Sequence, residues 1–239
     1  MGESGVVSPR AGVGRALSAV GSILIDVVYP PRCAGCGRRG RWVCAACDTA
    51  LPRFAPPWCD RCGVPISLGP CRCPDLEPDV LQVRSAAGFD GWLRPAILSF
   101  KYQEERARDE HLGDVLAGVL VGLGTIDALV PVPLHPTRLR QRGYNQSALL
   151  ARRAGRALGI PVLDAVRRLR PTPQQVGLGA DARRANVAGA FAAGGELSGA
   201  RLVIVDDVIT TGSTLGACAI ALRSSGALEV RGASLAREL

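Results

Sequence analysis

The chain has 239 residues, and 47% of them are apolar, which is enough for a buried core and excludes disorder along the whole length. Its formal net charge of +8 rests on 28 Arg and a single Lys, since Lys and Arg together number 29. Because so strong a preference for Arg can reflect genome composition, the net charge alone selects no binding partner.

The first candidate element is an apolar stretch over residues 14–28, GRALSAVGSILIDVV. It is shorter than the roughly 20 residues that cross a bilayer, and it contains Asp26. No cleavage site of small residues follows it, which disfavours the alternative of a secretory signal. We therefore expect an amphipathic helix, no membrane span and a cytoplasmic protein.

Eight of the nine cysteines lie within residues 33–73, in close pairs. A Cys-x-x-Cys turn directs two thiolates at one ion, and a second turn completes a tetrahedron with no open position. This pattern predicts two structural zinc sites rather than disulfides, with iron–sulfur clusters or redox dithiols as alternatives. The predicted ligands are Cys33, Cys36, Cys44 and Cys47 in the first site, and Cys59, Cys62, Cys71 and Cys73 in the second.

Two cysteine positions differ from this pattern. The Cys71-Arg72-Cys73 pair is one residue shorter than Cys-x-x-Cys, so it could supply only one of its two sulfur atoms to the second site. Cys218 stands apart in the apolar stretch LGACAIAL, and we expect it to be a small core residue.

The sequence changes in character near residue 78, from short segments rich in Pro and Cys to alternating apolar and helical stretches. This change predicts an N-terminal region with a helix and the paired cysteines over residues 1–77, and a second domain over residues 78–239. Strands and helices alternate in this second part, which predicts an α/β fold with a mostly parallel sheet and helices on both faces. Ligands of such sheets bind beyond the carboxyl ends of the strands. The predicted strands lie near residues 82–89, 128–134, 160–163, 187–192, 201–206 and 228–235, and the predicted helices at 95–123, 145–158 and 213–225.

Positive charge is concentrated in residues 138–184, which contain eleven Arg against Asp164 and Asp181. The excess indicates that this part of the chain faces an anion. For any single Arg, a solvated helix face remains an equally good interpretation.

The stretch VIVDDVITTGSTL, residues 203–215, combines a buried strand, two adjacent carboxylates and a loop rich in hydroxyls. Such a loop, opening a helix, offers backbone N–H groups and hydroxyls to a single phosphate. Asp206 and Asp207 then lie within reach of the vicinal hydroxyls of an attached ribose. A magnesium-binding acid of an ATPase is the alternative, but it requires a G-x-x-x-x-G-K-[ST] loop, and the only Lys, Lys101, has no flanking glycines.

This stretch resembles the 5-phosphoribosyl-1-pyrophosphate (PRPP) loop of type I phosphoribosyltransferases. Nearly the whole chain is similar to the ComF competence family, including ComFC and GntX-like proteins, from YPPRCAGCG through LSFKY, LVPVPLHPTRLRQRGYNQSALLA and RPTPQQVGLGADARRANVAGAF to the PRPP loop. The resemblance implies a double zinc ribbon followed by a Rossmann-like type I phosphoribosyltransferase domain.

The resemblance also implies roles for individual residues. Asp206 and Asp207 hold the ribose hydroxyls, and Mg²⁺ bridges these hydroxyls and the pyrophosphate. Residues 167–186 correspond to a flap that closes over the reacting carbon, with Arg183 and Arg184 among the catalytic candidates. The expected pyrophosphate ligands are Arg140, Arg142 and Lys101, and the expected ligands of the 5-phosphate are Val208, Ile209, Thr210, Thr211, Gly212, Ser213 and Thr214.

The predicted function is transfer of a phosphoribosyl group from PRPP to an unidentified acceptor with release of pyrophosphate. The alternative is a non-enzymatic protein that senses PRPP or a nucleotide and binds single-stranded DNA during DNA uptake, together with proteins of the competence machinery. Aromatic residues make up only 4% of the chain, which leaves little material for stacking bases and counts against a dedicated single-strand binder.

Overall fold

A computed structural model of the chain describes residues 31–71, 73, 76–102, 109–171 and 185–239. The chain divides into two compact units, Met1–Asp48 and Thr49–Leu239. The second cysteine cluster therefore belongs to the same unit as the sheet, while the predicted domain limit after residue 77 stays a prediction. The apolar stretch at residues 14–28 lies outside the described residues. Within the described ranges, none of the helices has the length and apolar character needed to cross a membrane.

Four parallel strands form the main sheet, in the order β1–β6–β5–β2. The central strands β5 and β6 are buried along most of their length, as is typical of a parallel sheet covered on both faces. Two further strands, β3 and β4, form a separate antiparallel pair. The strands are β1 (Gln82–Gly88), β2 (Ala128–Pro131), β3 (Val166–Arg168), β4 (Phe191–Ala193), β5 (Arg201–Ile209) and β6 (Glu229–Arg237).

Helices cover both faces of the main sheet, which confirms the predicted architecture. A Cβ added to Gly155 of α5 would lie 3.6 Å from the side chain of Leu129, and one added to Gly232 of β6 would lie 2.3 Å from Leu215 of α6. Leu129 is in register with Val203, and Gly232 with the next residue, Ile204, so the two helices lie on opposite faces. The helices are α1 (Ala45–Thr49), α2 (Leu93–Tyr102), α3 (Asp109–Leu120), α4 (Pro136–Arg142), α5 (Gln146–Leu158) and α6 (Ser213–Ser224), with 3₁₀ turns at Ile66–Leu68 and Val121–Leu123.

Some predicted elements are wrong or displaced. The strand predicted at residues 160–163 is reduced to an isolated bridge between Val162 and Leu129. Residues 185–187 are helical, and the strand predicted at 187–192 begins only at Phe191. Helix α4 is not among the predicted elements, although two features favour it. Pro136 occupies its first turn, where a missing N–H costs nothing, and the His135 side chain accepts a hydrogen bond from the N–H of Thr137.

Candidate functional site

The paired carboxylates lie near the carboxyl end of the central strand β5. The four preceding residues, 202–205, are almost fully buried, and Asp207 itself is only 2% exposed. Asp206 is in register with Ser234 of β6, whose hydroxyl shares a 2.7 Å hydrogen bond with the hydroxyl of Ser85. The buried strand therefore holds both acids at the edge of the sheet where parallel α/β proteins bind ligands.

Lys101 compensates part of the charge of this pair. Its ammonium lies 2.9 Å from Oδ1 of Asp207, and both side chains are largely buried. The other oxygen of that carboxylate, Oδ2, is buried and has no hydrogen-bond partner among the described residues. Since an unsatisfied buried acceptor is costly, this oxygen indicates a position for a donor from a ligand.

Asp206 is held by two donors. Its Oδ1 accepts hydrogen bonds from the Ser147 hydroxyl at 3.0 Å and from the N–H of Asp207 at 2.9 Å. Burial raises the pKa of the Asp206 carboxyl to about 7, and the negative charge of Asp207 contributes to this rise. Lys101 and the two donors oppose it. Neighbouring cations and hydrogen-bond donors therefore stabilise the acidic pair, and the hydroxyls of a ribose would supply further donors.

The segment at the start of α5 makes hydrogen bonds beside Lys101 and with Asp206. The Tyr144 hydroxyl donates to the carbonyl of Phe100, next to Lys101. Asn145 caps α5 by accepting from the N–H groups of Ser147 and Ala148. These contacts, with the hydrogen bond from Ser147 to Asp206, give Tyr144, Asn145 and Ser147 structural roles that were not predicted from the sequence.

The loop after the acids has the geometry of an anion site. Gly212 adopts a left-handed conformation, with φ of 80°, and α6 begins at the next residue. The hydroxyls of Thr211 and Ser213 share a 2.7 Å hydrogen bond, which orders the turn. The N–H of Ser213 donates to Oγ1 of Thr211 at 3.4 Å. The N-terminus of α6 also carries a partial positive charge, which favours a phosphate. Of the residues predicted to bind it, Ile209 is buried in the core, and its carbonyl accepts from the N–H of Glu238.

The predicted pyrophosphate ligands Arg140 and Arg142 lie on different sides of the helix α4. Arg138 and Arg142 are one helical turn apart and share a side of α4, whereas Arg140 projects from the opposite side and is exposed. Arg142 donates to Oε1 of Gln146 at 2.6 Å, so its guanidinium is fixed against the start of α5. Arg140 and Arg142 remain predicted ligands, and Arg138 joins them as a residue that the analysis of the sequence did not select.

A further cation comes from β3. The Arg168 guanidinium lies over the ring of Phe191, 5.3 Å from its centre. Burial and the nearby charge of Arg138 lower the pKa of Arg168, whereas the charge of Asp206 opposes that decrease. Arg168 therefore belongs to the same electrostatic environment as the acidic pair. Residues 172–184, which include the flap candidates Arg183 and Arg184, lie outside the described residues.

Each set of four cysteines forms one compact cluster. The four sulfur atoms of either set lie within 4.8 Å of one another. In the second cluster the sulfur atoms of Cys59 and Cys73 are 3.3 Å apart, and those of Cys62 and Cys71 are 3.7 Å apart. Four thiolates at the Zn–S distance of about 2.3 Å are separated by about 3.8 Å, so both clusters fit zinc. Both Cys71 and Cys73 join the second cluster despite their short spacing.

The thiols of one cluster cannot all ionise without a cation. In the first cluster burial raises the pKa of Cys33, but backbone N–H groups, first that of Cys44, outweigh this effect and lower the pKa to about 6. The pKa of Cys47 is raised to about 12 by hydrogen bonds with Cys44 and Cys33. A zinc ion bound to the cluster would favour the thiolate form of all four cysteines.

Comparisons with known proteins match two parts of the chain to different family models. A double zinc ribbon domain matches residues 24–77, and a phosphoribosyl transferase domain matches residues 141–239. Competence protein F of Haemophilus influenzae is 34% identical over 208 residues, which cover 82% of this chain and 90% of that protein. The chain belongs to the ComF competence family. DNA utilization protein YhgH of Escherichia coli K12 is likewise 34% identical to this ComF protein, over 84% of the chain and 92% of that relative.

Among solved structures, this ComF protein is similar to the glutamine PRPP amidotransferase of B. subtilis, with a TM-score of 0.38 and 25% identity over 54% of this chain and 26% of that one. The family matches confirm the phosphoribosyltransferase-like α/β fold and the N-terminal zinc ribbon. All eight clustered cysteines fall within the zinc-ribbon match, and the acidic pair with its loop falls within the transferase match.

Proposed function

We propose that this ComF protein binds PRPP and transfers its phosphoribosyl group to an acceptor nucleophile, releasing pyrophosphate. The observation that carries the proposal is the acidic pair, with Asp206 half-buried and Asp207 buried, directly followed by a hydroxyl-lined loop at the N-terminus of α6. The unsatisfied Oδ2 of Asp207, among the described residues, supports a ligand with hydroxyl donors at this place. In the proposal, Asp206 and Asp207 accept hydrogen bonds from the ribose hydroxyls, and the loop at residues 210–214 holds the 5-phosphate.

The pyrophosphate is proposed to bind on the side of the site that carries the Arg cluster. Arg142 and Arg138 share one side of α4, and Arg168 lies in the environment of Asp206, so three guanidinium groups can neutralise the leaving group. Arg140 and Lys101 are proposed as further contacts of the pyrophosphate. Lys101 is already paired with Asp207, so its proposed contribution is to both the acid and the bound ligand.

Mg²⁺ is proposed as the metal that accompanies PRPP. The carboxylate oxygens at the end of β5 are hard ligands of the kind that suits Mg²⁺, either directly or through its waters. When bound, the ion would neutralise charge on the pyrophosphate. Zinc, in contrast, is assigned to the cysteine clusters, where it has a structural role.

The proposed reaction is a displacement at the anomeric carbon. A lone pair of the acceptor forms the new bond to this carbon, the electron pair of the breaking C–O bond leaves with pyrophosphate, and the proton of the acceptor passes to water. Charge grows on the leaving oxygen, so positioning and the guanidinium groups supply the catalysis. Arg183 and Arg184 of the predicted flap are proposed to add to this stabilisation.

Release of pyrophosphate tests the enzymatic function. We expect wild-type protein with Mg²⁺ and PRPP to release pyrophosphate when the correct base or amine is present in a panel of acceptors, and the D206N/D207N variant to release none. Unchanged turnover in the variant would refute the assignment of the acids. Arg156→Gln, an exposed charge change on α5, is the matched control and should keep wild-type activity.

A second candidate is a cytoplasmic, non-enzymatic protein that senses PRPP or a nucleotide and binds single-stranded DNA alongside the competence machinery. It is favoured by the exposed Arg140 within a strongly basic segment, and by the relatives named competence protein F and DNA utilization protein. DNA affinity carried by this segment should fall steeply with salt. Strong, salt-sensitive DNA binding without turnover of PRPP for any acceptor would favour this candidate over the enzyme.

A further inference from the structure

The second cysteine cluster shares a hydrophobic core with α6, the helix that follows the proposed phosphate loop. Cys62, Val64 and Leu76 are buried in one core with Leu215 and Cys218 of this helix. Cys59 and Cys73 pack at the edge of the same core. The zinc ribbon therefore shares its core with the helix that begins at the proposed phosphate loop.

Arg61 lies inside the Cys59–Cys62 turn and connects the cluster to the following segment. Its guanidinium donates to the carbonyls of Leu76 and Glu77, at 3.2 Å and 3.1 Å. The N–H of Leu76 donates to the carbonyl of Cys73 at 3.0 Å. Both ends of the cluster therefore fix the backbone at residues 76 and 77.

Residues 76 and 77 lie directly on the loop and on the first turn of α6. A Cβ added to Gly212 would lie 2.8 Å from Cδ2 of Leu76, and one added to Gly216 would lie 2.3 Å from Cγ of Glu77. Both glycines thus leave space for this segment. Since Leu76 is only 5% exposed, its side chain fills a closed position against the turn that presents the N–H groups of the loop.

We infer that Leu76 is a positioning residue for the phosphate loop, held in place by Arg61 and the second cysteine cluster. The inference rests on the proposed function of that loop. It gives the second zinc ribbon a part in ligand binding: the ribbon fixes Arg61, Arg61 fixes the backbone at residue 76, and the Leu76 side chain fixes the turn at Gly212. Misplacement of ligand-binding groups by about 1 Å can cost a large factor in binding or rate.

Leu197 offers a matched control, because it is buried to a similar extent, at 8% exposure, in the same core. Its N–H donates to the carbonyl of Ser225, so it lies at the C-terminal end of α6, away from the loop. We expect L76A and L197A to lower the melting temperature alike. Only L76A should raise the dissociation constant for ribose 5-phosphate, by about tenfold, in calorimetry well below either melting temperature.

Arg61→Gln tests the chain of contacts. It should weaken ribose 5-phosphate binding in the wild-type background and have no further effect in L76A, because both changes act on the same turn. Retention of wild-type zinc content in both variants checks that the cluster is intact, and L76M should restore most of the affinity.

Equal weakening by L76A and L197A, or wild-type affinity in L76A, would overturn the inference. Additive effects of R61Q and L76A would remove Arg61 from it. If the wild-type protein binds neither PRPP nor ribose 5-phosphate, the proposed function fails instead, so the two failures are distinguishable.

Discussion

The ammonium of Lys101 lies 2.9 Å from the carboxylate of Asp207, so the single lysine of a chain with 28 arginines pairs with one of its two adjacent acids. An ammonium is a compact charge on a flexible stem, whereas a guanidinium is planar and broader. The position therefore favours a cation compact enough to reach a buried carboxylate, whose other oxygen has no hydrogen-bond partner among the described residues.

Replacing Lys101 by Met should destabilise the protein, because a buried carboxylate would lose the cation beside it. We expect a loss of about 3 kcal/mol in the free energy of unfolding at pH 8, measured by urea denaturation. The double variant K101M/D207N should recover most of this loss. A K101M variant as stable as wild type would show that the ion pair contributes nothing.

Asp206→Asn should stabilise the protein in a pH-dependent way. The folded protein holds the pKa of Asp206 at about 7, above the value of 3.8 for an unperturbed Asp, so the folded state loses stability as the pH rises from about 4 to 7. The amide avoids this cost, and we expect a gain of about 5 °C in melting temperature at pH 8. Below pH 4 the carboxyl is protonated in both states, and the gain should be small. A gain of the same size at both pH values would contradict the raised pKa.

The chain should contain about two zinc ions when purified from a reducing environment, as measured by elemental analysis. The sequence alone predicts that chelation unfolds mainly the first 75 residues. Because Cys62 and Val64 share a core with α6, we now expect chelation also to increase amide hydrogen exchange in that helix. Full retention of exchange protection in α6 after zinc loss would contradict this coupling, and disulfides in place of zinc would contradict the cluster assignment.

The Arg residues should discriminate between the two ends of PRPP. We expect each of three variants, R138Q, R142Q and R168Q, to lower the affinity for Mg²⁺·PRPP by about tenfold. Their affinity for ribose 5-phosphate should be unchanged, because only PRPP carries the pyrophosphate. R140Q tests the exposed position, and R156Q provides the control for net charge. If R156Q weakens PRPP binding as much as the other variants do, the loss of affinity comes from the change in net charge, and the pyrophosphate assignment is wrong.

The features that the sequence predicts best are those encoded within a few residues. The spacing of the cysteines predicts both clusters, since two ligands in one turn already define the direction of the ion. The run from Asp206 to Thr214 predicts the strand end, the loop and the helix start, because a buried strand, a glycine and hydroxyl residues follow one another without interruption. The alternation of strands and helices likewise predicts the sheet.

The contacts that were not predictable join distant parts of the chain. Ser147 donates to Asp206 across 59 positions of sequence. Neither the residue type of Ser147 nor the residues beside it indicate this contact. Arg168 is one of several Arg in its segment, and only the packing on Phe191 distinguishes it. The isolated bridge at Val162 shows the opposite error, in which a short apolar run with Pro161 resembles a strand but makes too few ladder bonds to form one.

The most direct test of the account is a calorimetric titration of zinc-replete protein with PRPP in the presence of Mg²⁺. We predict saturable binding at one site per chain, lost in D206N/D207N and retained in R156Q. Absence of binding by well-folded wild-type protein, or undiminished binding by the D206N/D207N variant, would contradict the claim that the acidic pair and its loop form a PRPP site.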